Sequence, residues 1–550
     1  MNTRMKKMIF ALMLLLMMAV GIISCRPDNP DPNGSITGVT EDVFFEAMGE
    51  VQAIGYKEHF EEMIKQASES NDETSSILID FAKAQMDSVD IYQEECIKQA
   101  GANFDIGADG EGAANRLLGY EYVTIRYRSI DHKGKPVMLS TLVAWPFNNI
   151  IPDADANNIV IGCHVTIGSN AERPTNYKKG SILSDVGMMV CCSRVAYGSG
   201  SSYYENLVII PDYQGYGATH GEVHPYLQQE LTARQVVDGV IAGKEYYEKV
   251  IKHKLEKDWR SMAVGYSQGG SVAMAVHRYI EQNNLHNRLR YQGTVCGDGP
   301  YDPIATLKQY ISENKIYMPV AAGMIIHSMC NTNARVMGKY TTADYVTPKC
   351  INSGMFDLIK EKKLNTDEMN AKLLEHSVGN SMADTATALC MYRKADDEFY
   401  LYCSENKDKY DWETSLIKTS YAKTSDMFLP EVINWFNGKK DPAHKAKMEA
   451  LEAALLDNVL HHGWMPLSYI YLYHTVTDEV VPLCNYENCL KSWKGTLAEK
   501  YVKGIRYTGV TQSHVNYGTM FFLYHLGDGM RQLIDDDCDE DEFDDTKTGL

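Results

Sequence analysis

The sequence predicts an α/β fold: a mostly parallel sheet with helices on both faces, a helical N-terminal extension and a large, mainly helical cap insertion. Three observations predict it. Short β-branched and aromatic runs alternate with helical segments through residue 300, and such alternation builds parallel sheets. The apolar run Met262-Ala263-Val264 passes through Gly265-Tyr266-Ser267-Gln268-Gly269 into an amphipathic segment over 270–283, giving strand, tight turn and helix in succession. A stretch of about 160 residues, 303–465, separates two strand-like runs that a compact sheet would join by a far shorter connection.

Taken in order, Arg4, Lys6 and Lys7 precede an apolar run over 8–23 that is short for a membrane span. It ends in Ile22-Ile23-Ser24-Cys25 and resembles a bacterial lipoprotein signal over 1–24. That resemblance implies lipidation (diacylation, palmitate) at Cys25; an ordinary signal peptide or an uncleaved anchor is the alternative. Residues 25–37, rich in proline and asparagine, read as an extended tether. The domain would then be held to a bacterial envelope membrane by lipid. Arg26 after the cysteine, in place of aspartate, implies the outer membrane. Residues 38–117 are rich in helix formers, and the spacing Phe45, Met48, Val51, Ile54 predicts a helix there.

The first part of the core, 118–302, opens with strands over 120–128 and 137–144, joined at Asp131-His132-Lys133-Gly134 as a hairpin. A strand over 158–163 and a long amphipathic helix over 231–252 follow. Residues 303–465 form the cap. Its most apolar stretch, 316–326, reads as the cap's own packing, with an acyl pocket as the alternative. The core resumes over 466–532 with strands at 468–473 and 501–507. In the tail, 533–550, nine acidic residues lie between Asp535 and Asp545 and read as a solvated segment.

Ser267 sits where a strand turns sharply into a helix, and flanking glycines relieve the crowding such a turn imposes. A serine hydroxyl attacks only if a base takes its proton, and the base is usually a histidine steadied by a carboxylate. Asp478, a few residues past the 468–473 strand, is the candidate acid. His514, after the 501–507 strand, is the candidate base. Asp298 and Asp302 are the rival acids, and Glu479, beside Asp478, is expected to point elsewhere. His461, His462, His474 and His525 are the rival bases. The oxyanion donors are the Gln268 N–H, next after the nucleophile, and a second N–H from the loop 164–170: Thr166, with Val165 as the alternative.

Together these motifs resemble the α/β-hydrolase superfamily, and more narrowly its secretory-lipase-like branch, across roughly residues 120–527. The resemblance rests on the Ser267 elbow, Pro211-Asp212-Tyr213-Gln214-Gly215-Tyr216-Gly217, His224-Pro225-Tyr226, and Asp478 followed by the late His514. It implies the α/β-hydrolase fold and a Ser267–Asp478–His514 triad cleaving carboxylic esters through an acyl-enzyme, as lipases and esterases do, with no metal or organic cofactor. It also implies substrate-binding roles for His164, Asp212, Tyr213 and Tyr266. Relatives carry His-Gly-Thr in the oxyanion loop where this chain has His164-Val165-Thr166.

A serine exopeptidase on the same fold is the second reading, with Asp367-Glu368 or Asp396-Asp397-Glu398 as a clamp for a free amino terminus. A non-catalytic surface binding lipoprotein is the third. The formal charge of −20 argues against nucleic-acid partners. Small-molecule or lipid esters are the expected ligands, and the membrane is reached only through Cys25. His220, Glu222 and His224 lack metal-ligand order and read as a rim or packing element. Of thirteen cysteines none forms a C-x-x-C pair, so no zinc site is expected. Proximity suggests disulfides Cys484–Cys489, Cys330–Cys350 and Cys390–Cys403.

Overall fold

The computed structural model describes residues 39–40, 43–70, 74–101, 117–151, 155–197, 202–375, 381–387, 391–393, 399–401, 416–507 and 513–534. The lipoprotein signal with Cys25, the tether, all but the first two residues of the acidic tail, Cys390, Cys403 and residues 396–398 lie outside them.

The main sheet has eleven strands. In chain order they are β1 (Phe45–Ala47), β2 (Gln52–Gly55), β3 (Leu118–Ile130), β4 (Pro136–Asn148), β5 (Ala156–Cys163), β6 (Arg194–Tyr197), β7 (Ser202–Pro211), β8 (Leu255–Tyr266), β9 (Tyr291–Gly297), β10 (Tyr469–Thr475) and β11 (Val502–Tyr507). Across the sheet they run β1-β3-β4-β7-β5-β8-β9-β10-β11, with β2 also on β3 and β6 on β7. The pairs from β7 through β5, β8, β9 and β10 to β11 are parallel. Their C-terminal ends therefore share one edge, where open α/β sheets place their sites.

Both faces of the sheet are covered, as the near-continuous apolar strands require. In β5, Ile159 and Ile161 face one core while Val160 faces the other. In β8, Ala263 alternates with Met262 and Val264 in the same way. This is the two-residue period of a strand buried on both sides. One face is packed by helices α1 (Tyr56–Glu69), α2 (Ser75–Ala100) and α3 (Asp185–Val190). The other is packed by α4 (Gln229–Tyr246) and α5 (Gln268–Gln282).

The helix expected over Phe45–Ile54 is corrected: these residues form β1 and β2. Both lie antiparallel on β3, with Phe45 opposite Tyr127 and Gln52 opposite Tyr122. Of the spaced residues, Met48 and Val51 are 45% and 40% exposed while Phe45 is half-buried and Ile54 buried, so the spacing marks no continuous helical stripe. The edge of β3 offers unpaired backbone groups, and pairing them outweighs local helix preference. Helix begins only at Tyr56.

Between β9 and β10 the described part of the insertion builds its own apolar core, with helices including α6 (Pro303–Glu313), α7 (Pro319–Thr332), α8 (Met355–Glu361) and α9 (Lys445–Leu456). Short two-stranded ribbons interrupt the helices. Ile316, Val320, Met324 and Ile326 are buried in this core, which accounts for the apolar stretch there. The insertion is tied to the sheet edge by Lys362. Its Nζ donates to the carbonyls of Gly215, His220 at 3.0 Å and Glu222 at 2.5 Å, and its own carbonyl accepts from Asn170 N at 2.8 Å.

The suggested disulfides within the described residues are also corrected. Cys330, Cys350, Cys484 and Cys489 are free thiols. Cys484 and Cys489 lie five apart on helix α10 (Cys484–Trp493), where side chains do not face each other.

Candidate active site

β8 ends at Tyr266 and α5 begins at Gln268, so Ser267 alone makes the turn. Its backbone has φ 56° and ψ −125°, a conformation rarely adopted by a side-chain-bearing residue and costing about 1–3 kcal/mol. The Ser267 N–H donates to the Gly297 carbonyl at 2.9 Å, which pins the turn to the neighbouring strand. The flanking glycines are a steric necessity. A Cβ on Gly265 would lie 2.3 Å from the Gly269 carbonyl oxygen, and one on Gly269 would lie 2.0 Å from that of Cys163.

Asp478 follows β10 in a turn that closes on its own side chain. Its Oδ1 accepts the N–H groups of Val480 at 2.8 Å and Val481 at 2.6 Å. That leaves Oδ2 for His514, whose Nδ1 stands 2.6 Å away. The other ring nitrogen, Nε2, lies 2.8 Å from Ser267 Oγ. Serine, imidazole and carboxylate thus form one continuous line. His514 is expected in a loop; the structure corrects this to the first residue of helix α11 (His514–Met520), capped by the Ser513 hydroxyl. The described chain continues through a π-turn over Phe521–His525 into α12 (Leu526–Ile534).

His514 is 4% exposed. Burial alone would push its pKa down, but the Asp478 carboxylate outweighs that, with Asp298 and Glu479 adding to it, and the ring is held up at about 9. Asp478 is raised chiefly by burial, and the nearby Asp298 raises it further, while His514 opposes both. Glu479 does not point away as expected: its Oε2 accepts the His514 backbone N–H at 3.1 Å. Neighbouring residues face one group here because the chain at 476–481 is a turn and not a strand.

The rival acids and bases have other partners. Asp302 caps α6 through Ala305 N at 2.9 Å and lies 3.1 Å from His461 Nε2. His461 also lies 2.7 Å from Ser492 Oγ, and His462 stacks edge-on against it. Burial pushes His525 down to about 4, where it stacks on Tyr473. His474 is fully buried beside Asp298.

For an oxyanion, Gln268 is the first residue of α5, whose leading N–H groups have no acceptor within the helix. Of the two loop candidates, the Val165 N–H is taken by Asp185 Oδ2 at 2.8 Å, so it is not free for an oxyanion. The Thr166 hydroxyl is 2.9 Å from Tyr226 OH. Gln268 is steadied through its side chain, 2.9 Å from His224 Nε2. His224 in turn donates from Nδ1 to the Gln214 carbonyl at 2.8 Å, and burial pushes it down to about 3, so it stays neutral. His220, Glu222 and His224 form no metal-ligand cluster among the described residues. Asp298, Asp478 and His514 do converge, yet both nitrogens of His514 already face partners of their own.

The substrate-binding roles expected for His164, Asp212, Tyr213 and Tyr266 are corrected by their burial. All four lie inside the protein beneath the site. Asp212 accepts the Thr175 N–H at 2.8 Å and the hydroxyls of Thr175 at 2.6 Å and Ser140 at 2.5 Å. His164 stacks on Tyr213 at 3.9 Å with its ring nitrogens near the carbonyls of Val165 and Asp212. A carboxylate so placed must find its hydrogen bonds within the protein, and these do. The Pro-Asp-Tyr element is the floor that supports the site and not a surface that touches a ligand.

No protein-family model matches the sequence, and no curated protein matches it. Solved structures do. The rice cell wall degrading esterase LipA from Xanthomonas oryzae aligns over 76% of this chain and 90% of its own, at 18% identity and a TM-score of 0.51. A candidate hydrolase from Legionella pneumophila aligns over 81% and 95%, at 16% identity and a TM-score of 0.53. At these identities the likeness defines the fold. The chain has the α/β-hydrolase fold, with a long insertion after the strand that follows the elbow.

Proposed function

We propose that this chain is a serine hydrolase of carboxylic esters. The observation that carries the reading is the unbroken line from Ser267 Oγ to His514 Nε2 at 2.8 Å and from His514 Nδ1 to Asp478 Oδ2 at 2.6 Å. Ser267 Oγ attacks the acyl carbonyl carbon while His514 takes its proton. Asp478 holds the imidazole in the tautomer that accepts at Nε2 and steadies the cation that forms. The N–H groups of Gln268 and Thr166 receive the oxyanion. His514 then protonates the alcohol oxygen as it leaves. A water that gives its proton to His514 attacks the acyl-enzyme, releasing the acid and restoring the serine.

An ester substrate is supported by the fold shared with LipA, an esterase by name. The exopeptidase alternative gains nothing from Asp367-Glu368. Both are exposed, and Glu368 closes a helix start with Asn365 through reciprocal bonds of 2.9 and 2.8 Å. Nitrophenyl esters of graded chain length and aminoacyl-nitroanilides, each run with Ser267→Ala, test the reading. Ester turnover lost on Ser267→Ala is expected; turnover on the anilides alone would sink it. Attachment to the outer membrane through Cys25 is part of the same proposal. Radiolabelled palmitate should enter the wild-type chain and not Cys25→Ala.

A further inference from the structure

Asp298 ends the strand beside the nucleophile strand, one residue past β9. It is fully buried, and the proposed relay does not use it. Its backbone has φ 41°, an unusual value for a residue with a side chain. Its Oδ1 accepts the Thr475 N–H at 2.8 Å and lies 2.9 Å from His474 Nδ1, out of line for a good hydrogen bond. Its Oδ2 lies 2.7 Å from Tyr266 OH. That same hydroxyl lies 2.6 Å from the backbone carbonyl of His514. One oxygen and one nitrogen from Asp298, Asp478 and His514 fall within 4.8 Å of one another. A second buried carboxylate therefore sits behind the acid–imidazole pair, and it shares with the His514 carbonyl the single proton of one phenol.

We propose that Asp298 is a positioning residue for His514, holding the Tyr266 ring that packs against it and placing a second carboxylate behind the Asp478–His514 pair. The inference rests on the serine-hydrolase reading above.

Two effects combine. Tyr266, held at its hydroxyl by Asp298, packs 5.2 Å from the His514 ring and limits where that ring can sit. The charge acts across a short, water-poor path, where Coulomb terms are strong. The other groups facing His514 are Asp478 and Glu479 from the turn after β10, Tyr266 at the end of β8 and Ser267 at the turn that follows it. Tyr517 lies one helical turn further along α11. Burial lowers His474, on β10 beside Asp298, but the Asp298 carboxylate outweighs it and holds the ring above its ordinary pKa. Burial, then the carboxylates of Asp298 and Asp478, raise Tyr266 far above the ordinary phenol range, so it remains a neutral donor.

The test compares wild type, Asp298→Asn, Tyr266→Phe and His474→Asn on a nitrophenyl ester, with kcat/KM and kcat measured against pH and thermal midpoints checked. Asp298→Asn should move the acid-limb pKa down by about one unit. His474→Asn should leave it in place or move it up. Tyr266→Phe should cut the plateau kcat roughly tenfold with a smaller change in pKa. A merely structural role would lower stability without opposed pKa shifts. The proposal is overturned if Asp298→Asn folds and keeps the wild-type profile, or if it shifts the same way as His474→Asn. Should Asp298→Asn not fold, a wild-type plateau and pKa in Tyr266→Phe overturn it instead. Full activity in Ser267→Ala would instead refute the underlying reading, so the two failures are distinguishable.

Discussion

Two imidazoles that touch a potential nucleophile, one at the sheet edge and one beneath the N-terminal helices, are equipped very differently to activate it. At the sheet edge His514 joins Ser267 Oγ at 2.8 Å to Asp478 at 2.6 Å. On the face covered by the N-terminal helices, His59 of α1 lies 2.9 Å from Cys191 Sγ and 2.8 Å from Tyr120 OH, which continues to Tyr177 OH at 2.8 Å. The geometries are alike: nucleophile, ring, oxygen. The third member differs, a carboxylate in one and a phenol in the other. Burial acts on both rings, but only His514 has a nearby negative charge. It is held at about 9, whereas burial pushes His59 down to about 3. Burial also drives the Cys191 thiol far up, so that pair stays neutral and the sulfur inert. Between these two sites, contact with a histidine is shared and the anion behind the ring is what differs.

The sharpest way to break this contrast is to make the first site resemble the second. Asp478→Asn should lower kcat about 10⁴-fold with the fold retained, because the amide favours the wrong tautomer and cannot stabilise the cation. A variant enzyme within tenfold of wild type would erase the distinction.

The pH profile sharpens it further. The base form of His514 is the neutral ring. Since its pKa is raised to about 9, that form is scarce at neutrality and grows as pH rises. kcat/KM should therefore climb about tenfold per unit, roughly a hundredfold from pH 7, and level off above about pH 9. A plateau already reached near neutrality would mean that Asp478 and its neighbours do not hold the proton on His514.

The smallest expected effect lies at the second pair. Cys191→Ser should change ester turnover by less than about twofold, and the native thiol should react slowly with alkylating reagents. Rapid alkylation coupled to loss of turnover would make that pair a working site.

Most of the first pair's logic was legible in the chain. Ser267, Asp478 and His514 each stand just past a strand, and their order along the sequence is local information that a turn-and-strand reading can recover. The parts that depend on which strands lie side by side were not. Asp298 reads as a rival acid until β9 and β10 are seen adjacent, which brings it up against the Asp478–His514 pair. The extended pairing of β1 and β2 answers to the open edge of β3, some seventy residues away in sequence, and no local propensity encodes it. The Pro-Asp-Tyr element was legible by resemblance as a floor of the cleft, but the full burial of His164, Asp212 and Tyr213 was not, because burial is a property of the packed layers. Proximity of cysteines in sequence likewise failed, since Cys484 and Cys489 share one helix.

The central claim is that Ser267 is the activated nucleophile. Treating the folded protein with a fluorophosphonate and mapping the adduct by peptide mass spectrometry tests it most directly. The account predicts one adduct, on the peptide carrying Ser267, formed in step with loss of ester turnover and absent from Ser267→Ala. An unlabelled wild-type protein that still turns over esters, or an adduct on another residue that tracks the loss of activity, would contradict it.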